Sequence, residues 1–174
     1  MHDEPASLTS NASGQRAEAS PLGLALGRVP SGLFILTVRQ GERATGMLTS
    51  WVQQAGFEPP MLTVAVRLNR YVGDWIAASE RFTLNQIAAG HKPLIRHFAR
   101  GFPPDADAFE CLTVREGAQG GPILAEALSY LDCELAGHLD GGDHRIFLAR
   151  VVAGALLDPS AEPLVHVRHS GHHY

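Results

Sequence analysis

The sequence predicts a mainly β protein, a closed antiparallel barrel accompanied by a few short helices. Two observations predict it: many short β-branched or alternating segments are spread along the chain, and the helical segments between them are brief. A doubly wound parallel sheet needs a long crossover between successive strands, and the first three predicted strands follow one another without one. The length of 174 residues, with 45% hydrophobic and 18% charged residues, fits a globular chain with one core.

The first part of the chain contains a tail, a short helix and a series of short strands. Residues 1–20 are rich in Ser, Ala and Asn without an apolar period, so we expect a mobile tail there and a folded domain over 21–174. A short helix is predicted over 22–29, because Pro30 prevents its continuation. Strands are then predicted over 33–38, 44–52, 61–66 and 82–86, and helices over 70–79 and 92–100.

Strands dominate the second part of the chain. They are predicted over 111–115, 129–137, 144–152 and 164–168. Apolar and acidic residues alternate over 131–135, and 141–143 supply the turn of a hairpin. In 82–86 the apolar side chains are expected to point inward, which leaves Thr83 and Asn85 on a second face for polar contacts.

Charge, hydropathy and cysteine content exclude several classes of function. The net charge of −4 gives no broad cationic surface, so neither nucleic acid nor an anionic membrane is an expected partner. The apolar runs are far shorter than the roughly 18 residues that suggest a membrane span, and the start of the chain lacks the apolar stretch of a secretory signal. Cys111 and Cys133 form neither a Cys-x-x-Cys pair nor a disulfide framework, which favours the cytoplasm.

No segment matches a phosphate loop or a Gly-x-Gly-x-x-Gly fingerprint. A series of other segments, in this order, resembles the flavin reductase family with the FMN-binding split barrel: ALGRVPSGLFILTVRQGERATGMLTSW, FEPPMLTVAV, RFTLNQ, the surroundings of HFAR, YLDCEL and GDHRIFLARV. Within that family the chain is similar to the C-terminal reductase module of cyanobacterial flavodiiron, or diflavin, proteins. The resemblance covers residues 24–174.

The resemblance implies a fold, a cofactor and partners. The fold is a split β-barrel, the cofactor is FMN, with FAD as a second possibility, and the hydride donor is NADH or NADPH. Members of the family resemble homodimers with the cofactor near the subunit boundary, so we expect a homodimer here. The reduced flavin is expected to pass to oxygen, a partner oxygenase or another electron acceptor.

The resemblance also assigns a flavin cradle to Met47, Leu48, Thr49, Ser50 and Trp51. Backbone N–H and hydroxyl donors at the pyrimidine edge of the flavin stabilise the negative charge that the ring gains on reduction. The alternative interpretation is an ordinary strand with its Thr and Ser side chains in solvent.

Further flavin contacts are implied by the resemblance in four other places. They are Pro30 and Ser31 before the first strand, Asn69 and Arg70 after the third, Asn85, Gln86 and Ile87 at the end of 82–86, and His91 and Phe98 in the following helical region. Asn69 and Arg70 suit a flavin phosphate, because a helix that begins near residue 70 offers N-terminal amides. Alternatives remain open: 30–31 as a simple turn, Arg70 as a solvated cap, Asn85 as an amide that satisfies a turn, and Phe98 as a core residue.

His144, in the segment Gly-Asp-His, is the predicted catalytic residue. The resemblance places it near the flavin face where a nicotinamide stacks, and an imidazole can orient a carboxamide or donate a proton there. Hydride transfer itself requires only close stacking, so His144 is expected to position the substrate first. The alternative is a turn histidine bonded to the neighbouring Asp143.

The end of the chain, 166–174, contains four histidines but neither cysteine nor carboxylate. We therefore expect no metal site there, and a tail beside the barrel edge or the flavin instead. The sequence thus predicts a flavin reductase that transfers a hydride from NADH or NADPH to FMN. The alternative from another class is an FMN-binding electron-transfer or carrier protein without substantial NAD(P)H oxidation of its own.

Overall fold

The computed structural model describes residues 20–117 and 120–172. The predicted mobile tail lies outside the described residues except for Ser20. The described chain divides into two compact units, one of residues 20–29 with 168–172 and the other of residues 30–167. A folded domain that extends over the whole of 21–174 stays a prediction.

The described residues form three helices and eleven strands. The helices are α1 (Pro21–Gly27), α2 (Tyr71–Ser79) and α3 (Lys92–Phe98). The strands are β1 (Ser31–Gly32), β2 (Phe34–Gln40), β3 (Arg43–Thr49), β4 (Val52–Gly56), β5 (Met61–Arg67), β6 (Arg81–Gln86), β7 (Val114–Arg115), β8 (Ile123–Leu124), β9 (Ser129–Gly141), β10 (His144–Leu156) and β11 (Val165–His166).

A two-residue link between the edge strands closes the main sheet. Seven antiparallel strands pair in the order β3-β2-β6-β9-β10-β5-β4, which places β3 and β4 at opposite edges. Only Ser50 and Trp51 separate Thr49 from Val52, so at about 3.8 Å per residue these edges lie within about 11 Å of each other. A flat sheet of this size would hold them about 29 Å apart, at about 4.8 Å per strand. The sheet therefore curls into a barrel, and the predicted mainly β fold is confirmed.

Strand β2 is buried on both faces and separates two hydrophobic cores. Phe34, Leu36 and Val38 face the barrel interior, whereas Leu33 and Ile35 face a second core beneath α3. Full burial of side chains of this size contributes about 1.5–3 kcal/mol each. The second core also contains Ile87, Leu94, Phe98 and Leu124.

Strand β6 is buried on both faces as well, and its polar face is covered by the chain before β8. Thr83 and Asn85 are 0% exposed. The Thr83 hydroxyl donates to Asp132 Oδ1 over 2.5 Å and accepts a bond from Gly121 N over 3.0 Å. The alternation predicted for β6 is present, but its polar side chains bond inside the protein and not at an open surface.

Several predicted strand boundaries are wrong for identifiable reasons. The strand predicted over 44–52 is two strands, because the chain turns at Ser50 and Trp51 from one sheet edge to the other. The strand predicted over 111–115 shrinks to Val114–Arg115, since Cys111 has a left-handed φ of 65° that a strand does not accommodate. The strand predicted over 164–168 shrinks to Val165–His166.

The predicted hairpin is confirmed and is longer than the alternation indicated. Both of its strands contain 13 residues. Gly142 occupies the turn with φ 71°, a conformation that glycine adopts without steric cost. Beside the turn, Arg145 Nε donates to Asp140 Oδ1 over 2.6 Å across the two strands, which supports pairing of the polar residues that continue the ladder.

The smaller unit consists of α1 and the segment 168–172. Ser20 caps the helix by accepting a hydrogen bond from Gly23 N over 3.1 Å. Gly171 N donates to Gly23 O over 2.7 Å, and Arg168 N donates to Gly27 O over 3.1 Å. The helix ends at Gly27, two residues before the predicted boundary.

Candidate functional site

Three turns of the barrel meet at one place, which we call the Trp51 corner and define by Ser50, Trp51, Arg67, Asp143 and His144. Trp51 O accepts a hydrogen bond from Ala65 N over 3.0 Å, which ties the β3–β4 link to β5. His144 pairs with Arg67 in the β5–β10 ladder. The turn after β5 is tied to the hairpin turn by Leu68 N, which donates to Asp143 O over 3.0 Å.

The centre of the Trp51 corner is an aromatic contact. The ring centroids of Trp51 and His144 lie 4.7 Å apart, with the ring planes inclined at 45°. His144 is only 7% exposed, whereas Trp51 is half-buried. The partly exposed indole of Trp51 therefore rests on the buried imidazole of His144, beside a turn rich in hydrogen-bonding groups.

His144 is oriented by its neighbour in the chain. The Nδ1 atom lies 2.7 Å from Asp143 Oδ1, and Arg67 Nε lies 3.9 Å from the other carboxylate oxygen. The hydrogen bond from His144 is the main cause that lowers the pKa of Asp143, with a smaller contribution from the charge of Arg67. Asp143 is thus a carboxylate that holds the imidazole, as the alternative interpretation of His144 predicted, and this contact is compatible with a substrate-positioning role.

Ser50 supplies a donor that bonds to none of the described residues. Thr49 and Ser50 are 6% and 3% exposed, so neither hydroxyl lies in open solvent as the alternative interpretation expected. Ser50 Oγ is buried without a hydrogen-bond partner. A buried hydroxyl without a partner costs about 1–3 kcal/mol, so the presence of one here favours a ligand that completes it.

Asn69 and Arg70 lie in the short segment between Arg67, at the end of β5, and the start of α2. Both are exposed, Arg70 N donates to Arg67 O over 3.0 Å, and Arg70 is the N-cap of α2 without a side-chain capping bond. Arg70 forms no ion pair with any residue that the structure describes. Its guanidinium remains available to an anion.

Several of the predicted flavin contacts point into the protein. The Asn85 amide donates to Ile35 O and Pro122 O over 3.3 Å each and accepts from Leu124 N over 2.8 Å, which leaves none of its atoms for a ligand. Ile87 is 0% exposed, and its N–H donates to Leu33 O.

Phe98 is 1% exposed and packs on Gly46, where an added Cβ would stand 2.6 Å from the ring. It is a core residue, as its alternative interpretation predicted. The side chains of Asn85, Ile87 and Phe98 therefore support the barrel wall rather than contact a ligand.

Three further predicted residues, Met47, Leu48 and Gln86, are partly buried. Met47 packs on the barrel core, and Leu48 packs on the second core. Gln86 accepts a bond from Ser129 Oγ over 2.9 Å and lines a cavity of about 340 Å³ together with Val52, the neighbour of Trp51.

Pro30, Ser31 and His91 are not joined to the Trp51 corner by any hydrogen bond or ring contact of the described residues. Pro30 is exposed, and Ser31 pairs with His166 in the ladder of β1 and β11. His91 Nε2 lies 3.1 Å from Glu126 Oε2, while its Nδ1 is buried without a partner.

Arg67 and Asp143 belong to the Trp51 corner but were not predicted as site residues. The signal for Arg67 was a charged residue at the end of an otherwise apolar strand. Asp143 stood in the Gly-Asp-His segment, but only the histidine was selected. The place of Arg67 depends on strand register, which the sequence alone does not give; the bond between Asp143 and His144 was stated only as an alternative interpretation of the histidine.

Neither a membrane-crossing helix nor a metal-binding cluster occurs among the described residues. In the described part of the chain, no helix has the length and hydropathy needed to cross a membrane. Across 20–117 and 120–172, no group of three His, Cys, Asp or Glu side chains is placed to hold a metal ion. His173 and Tyr174, which belong to the histidine-rich end, lie outside the described residues.

The barrel, closed by a short link at the Trp51 corner, is the split barrel of the flavin reductases. The model of the flavin reductase like domain matches residues 26–173, and the chain therefore belongs to that family. In fold, the chain is similar to the NADH:FAD oxidoreductase SgcE6 of Streptomyces globisporus, with a TM-score of 0.77, 27% identity and coverage of 83% of this chain and 85% of that one.

Curated relatives come from cyanobacteria, which confirms the resemblance to diflavin proteins. The chain is 40% identical over 154 residues to the putative diflavin flavoprotein A 3 of Nostoc sp., and 39% identical over 156 residues to the diflavin flavoprotein A 1 of Synechocystis sp.. These matches cover 88% and 89% of this chain but 27% of each relative. The chain thus spans about a quarter of the length of these relatives.

The residues at the Trp51 corner fit a flavin. Ser50 Oγ is a buried donor without a partner, which suits the heteroatom edge of an isoalloxazine. The half-buried ring of Trp51, in contact with the buried His144, is suited in its chemistry to stacking on a planar heterocycle. Arg70 offers a guanidinium for a phosphate group.

Proposed function

We propose that this chain is a flavin reductase that binds FMN at the Trp51 corner and oxidises NADH or NADPH. The observation that carries the proposal is the buried, unsatisfied Ser50 hydroxyl beside the Trp51–His144 pair. A bound FMN supplies a ring that accepts a hydride from reduced nicotinamide.

In this proposal the residues of the chain bind the flavin and orient it. The hydroxyls of Thr49 and Ser50, with the backbone of Met47 and Leu48, bind the polar edge of the flavin in this proposal. Their donors favour the reduced ring, because they stabilise negative charge where it accumulates.

Trp51 packs against the flavin ring system and keeps water from it. Asn69 and Arg70 bind the phosphate. Because Arg70 has no ion pair among the described residues, binding a phosphate does not require it to break an existing one.

His144 acts as a positioning group for the nicotinamide. Asp143 holds Nδ1 over 2.7 Å, which fixes the ring orientation and keeps a proton at that nitrogen. Rate enhancement then comes mainly from holding donor and acceptor rings in close stacking.

The nicotinamide, the flavin and the acceptor are proposed with support from similar proteins. The Streptomyces enzyme is an NADH:FAD oxidoreductase, and a second structure of it contains NAD and FAD fragments, with 26% identity and a TM-score of 0.74. We propose FMN as the preferred flavin of this chain, with FAD as the competitor in every assay. Oxygen, a partner oxygenase or another acceptor would take the electrons.

A homodimer and a reducing compartment complete the proposal. Exposed apolar side chains on the long hairpin, including Leu148, Val152 and Leu156, are compatible with a second subunit. Cys111 and Cys133 do not form a disulfide with each other, which is compatible with the cytoplasm.

Steady-state oxidation of NADH and NADPH, followed at the nicotinamide band with FMN or FAD added, tests the proposal. We expect flavin-dependent consumption, reduced by His144→Ala through a higher KM for the nicotinamide. His138 is exposed on the neighbouring strand, so His138→Ala is the matched control. Flavin binding without nicotinamide consumption would instead establish the electron-carrier alternative.

A further inference from the structure

The hydroxyl of Tyr71 joins three separate segments of the barrel unit. It donates to Phe102 O over 2.8 Å and lies 2.8 Å from Thr45 Oγ1. Because the carbonyl can only accept, the single Tyr71 proton goes to Phe102, and the Thr45 hydroxyl donates to Tyr71. Thr45 is 1% exposed in β3, the strand that ends at Thr49, so the bridge is anchored in the barrel wall.

The ring of Tyr71 is also fixed. It packs edge-on against Trp75 with a centroid separation of 5.3 Å. Tyr71 is the first residue of α2, directly after Arg70. The contact with Trp75 lies within α2, and the bond with Thr45 ties the start of α2 to β3.

The segment that Tyr71 holds lies against Arg70. Gly101, the neighbour of Phe102, has a left-handed φ of 69°. A Cβ added at Gly101 would stand 3.4 Å from Arg70 Nη1, so the guanidinium passes directly over this glycine. Displacement of the chain at 101–102 would therefore change the surface on which the arginine rests.

We propose that Tyr71 is a positioning residue that aims Arg70 at the phosphate of the bound flavin. The inference rests on the proposed function, because it assumes that a flavin occupies the Trp51 corner. The hydroxyl bridge holds the 101–102 backbone beneath the guanidinium. An arginine held in this way loses less conformational entropy when it binds a phosphate than an unrestrained one. The effect concerns only the phosphate end of the ligand and leaves the ring contacts unchanged.

A comparison of FMN with riboflavin, which lacks the phosphate, tests this role. Tyr71→Phe keeps the ring and removes only the hydroxyl. We expect the Kd for FMN to rise about three- to tenfold, the cost of ordering one long side chain on binding, and the Kd for riboflavin to change less than twofold. Equal losses for both ligands would show a merely structural role and overturn the proposal, as would an unchanged Kd for FMN.

Three further variants sharpen the test. Thr45→Val keeps the bond from Tyr71 to Phe102 and is expected to leave the Kd for FMN within about twofold. In a double-mutant cycle, Tyr71→Phe should add little to Arg70→Ala if it acts through the arginine, and independent additive losses would contradict the proposal. Gly101→Ala displaces the same segment by a different route and should produce the same FMN-selective loss; a loss shared with riboflavin would count against it.

The wild-type protein separates this inference from the proposed function. If wild-type protein binds both FMN and riboflavin, the variants decide the role of Tyr71 alone. If folded wild-type protein binds neither ligand, the proposed function fails and the role of Tyr71 fails with it.

Discussion

The indole of Trp51 and the imidazole of His144 meet across strand β5, with 4.7 Å between their centroids. One ring belongs to the link between the two edge strands, and the other begins the second strand of the long hairpin. The contact follows from the strand order, because β5 lies between β4 and β10 and pairs with both. This order brings together two side chains that are 93 positions apart in the sequence.

Binding of a flavin beside this pair should change the emission of Trp51. We expect FMN to quench the indole fluorescence of the wild type, because a stacked isoalloxazine accepts excitation energy at contact distance. Trp51→Phe should remove most of the FMN-dependent quenching, while the buried Trp75 continues to report the fold. Quenching that is undiminished in Trp51→Phe would place the flavin elsewhere.

Ser50→Ala should separate folding from ligand binding. The hydroxyl has no partner among the residues that the structure describes, so its removal should leave the Tm of the ligand-free chain unchanged or slightly raised. The Kd for FMN should rise about three- to tenfold through loss of one hydrogen bond. Thermal unfolding and flavin titration measure the two effects, each against the wild type. A marked fall in Tm with an unchanged Kd would show that Ser50 serves the fold.

The Asp143–His144 bond predicts a pH dependence of stability. Because the pKa of Asp143 is lowered in the folded chain, chiefly by the bond from His144, the unfolded chain takes up the proton first as the pH falls. The contribution to stability is therefore complete above the ordinary Asp pKa of about 3.9 and is lost as the pH falls through the lowered value.

Chemical unfolding at several pH values checks this dependence. The wild type should be more stable than Asp143→Asn at pH 6, and the difference should shrink as the pH falls below the ordinary Asp pKa of about 3.9. Asp105→Asn, at an exposed aspartate outside the corner, is the matched control. A difference that grows in acid would contradict the assignment.

Much of the barrel could be predicted from the sequence because local sequence patterns determine its strands and turns. The hairpin turn at Gly142 and the apolar alternation of β2, β5 and β9 are local signals. The break at Ser50 was not predicted. β-Branched and apolar residues lie on both sides of it, and neither Gly nor Pro stands next to it.

The candidate site was only partly predictable. Ser50, Trp51 and His144 come together as expected, but Asn85 and Phe98 face inward because loop and helix segments cover β2 and β6. That covering depends on tertiary packing. The same holds for Arg67 and Tyr71, whose roles follow from strand register and from a contact 31 residues away in the chain.

Gly46 should be intolerant of a side chain. An added Cβ would stand 2.6 Å from the Phe98 ring, so Gly46→Ala should lower the free energy of unfolding by about 1–3 kcal/mol through overpacking. Gly137→Ala, in a strand position with nothing within 4 Å of the added Cβ, should be neutral or slightly stabilising. Urea unfolding of both variants provides the measurement. Equal effects would contradict close packing at Gly46.

The two cysteines should differ in reactivity. Burial raises the pKa of Cys133 to about 12, so its thiol stays protonated and shielded, whereas Cys111 is exposed. A water-soluble disulfide reagent at pH 8 should modify Cys111 rapidly and Cys133 only after unfolding, with Cys111→Ser as the control. Rapid modification of folded Cys111→Ser would contradict the burial of Cys133. Above pH 9 the unfolded thiol ionises first, so this group should favour unfolding as the pH rises.

Titration of the folded, flavin-free chain with FMN tests the central proposal most directly. Difference absorbance in the flavin band should reveal saturable binding of one FMN per chain, and Ser50→Ala and Trp51→Phe should each weaken it. Circular dichroism on the same sample establishes that the chain is folded. Absence of saturable binding for both FMN and FAD would contradict a flavin site at the Trp51 corner.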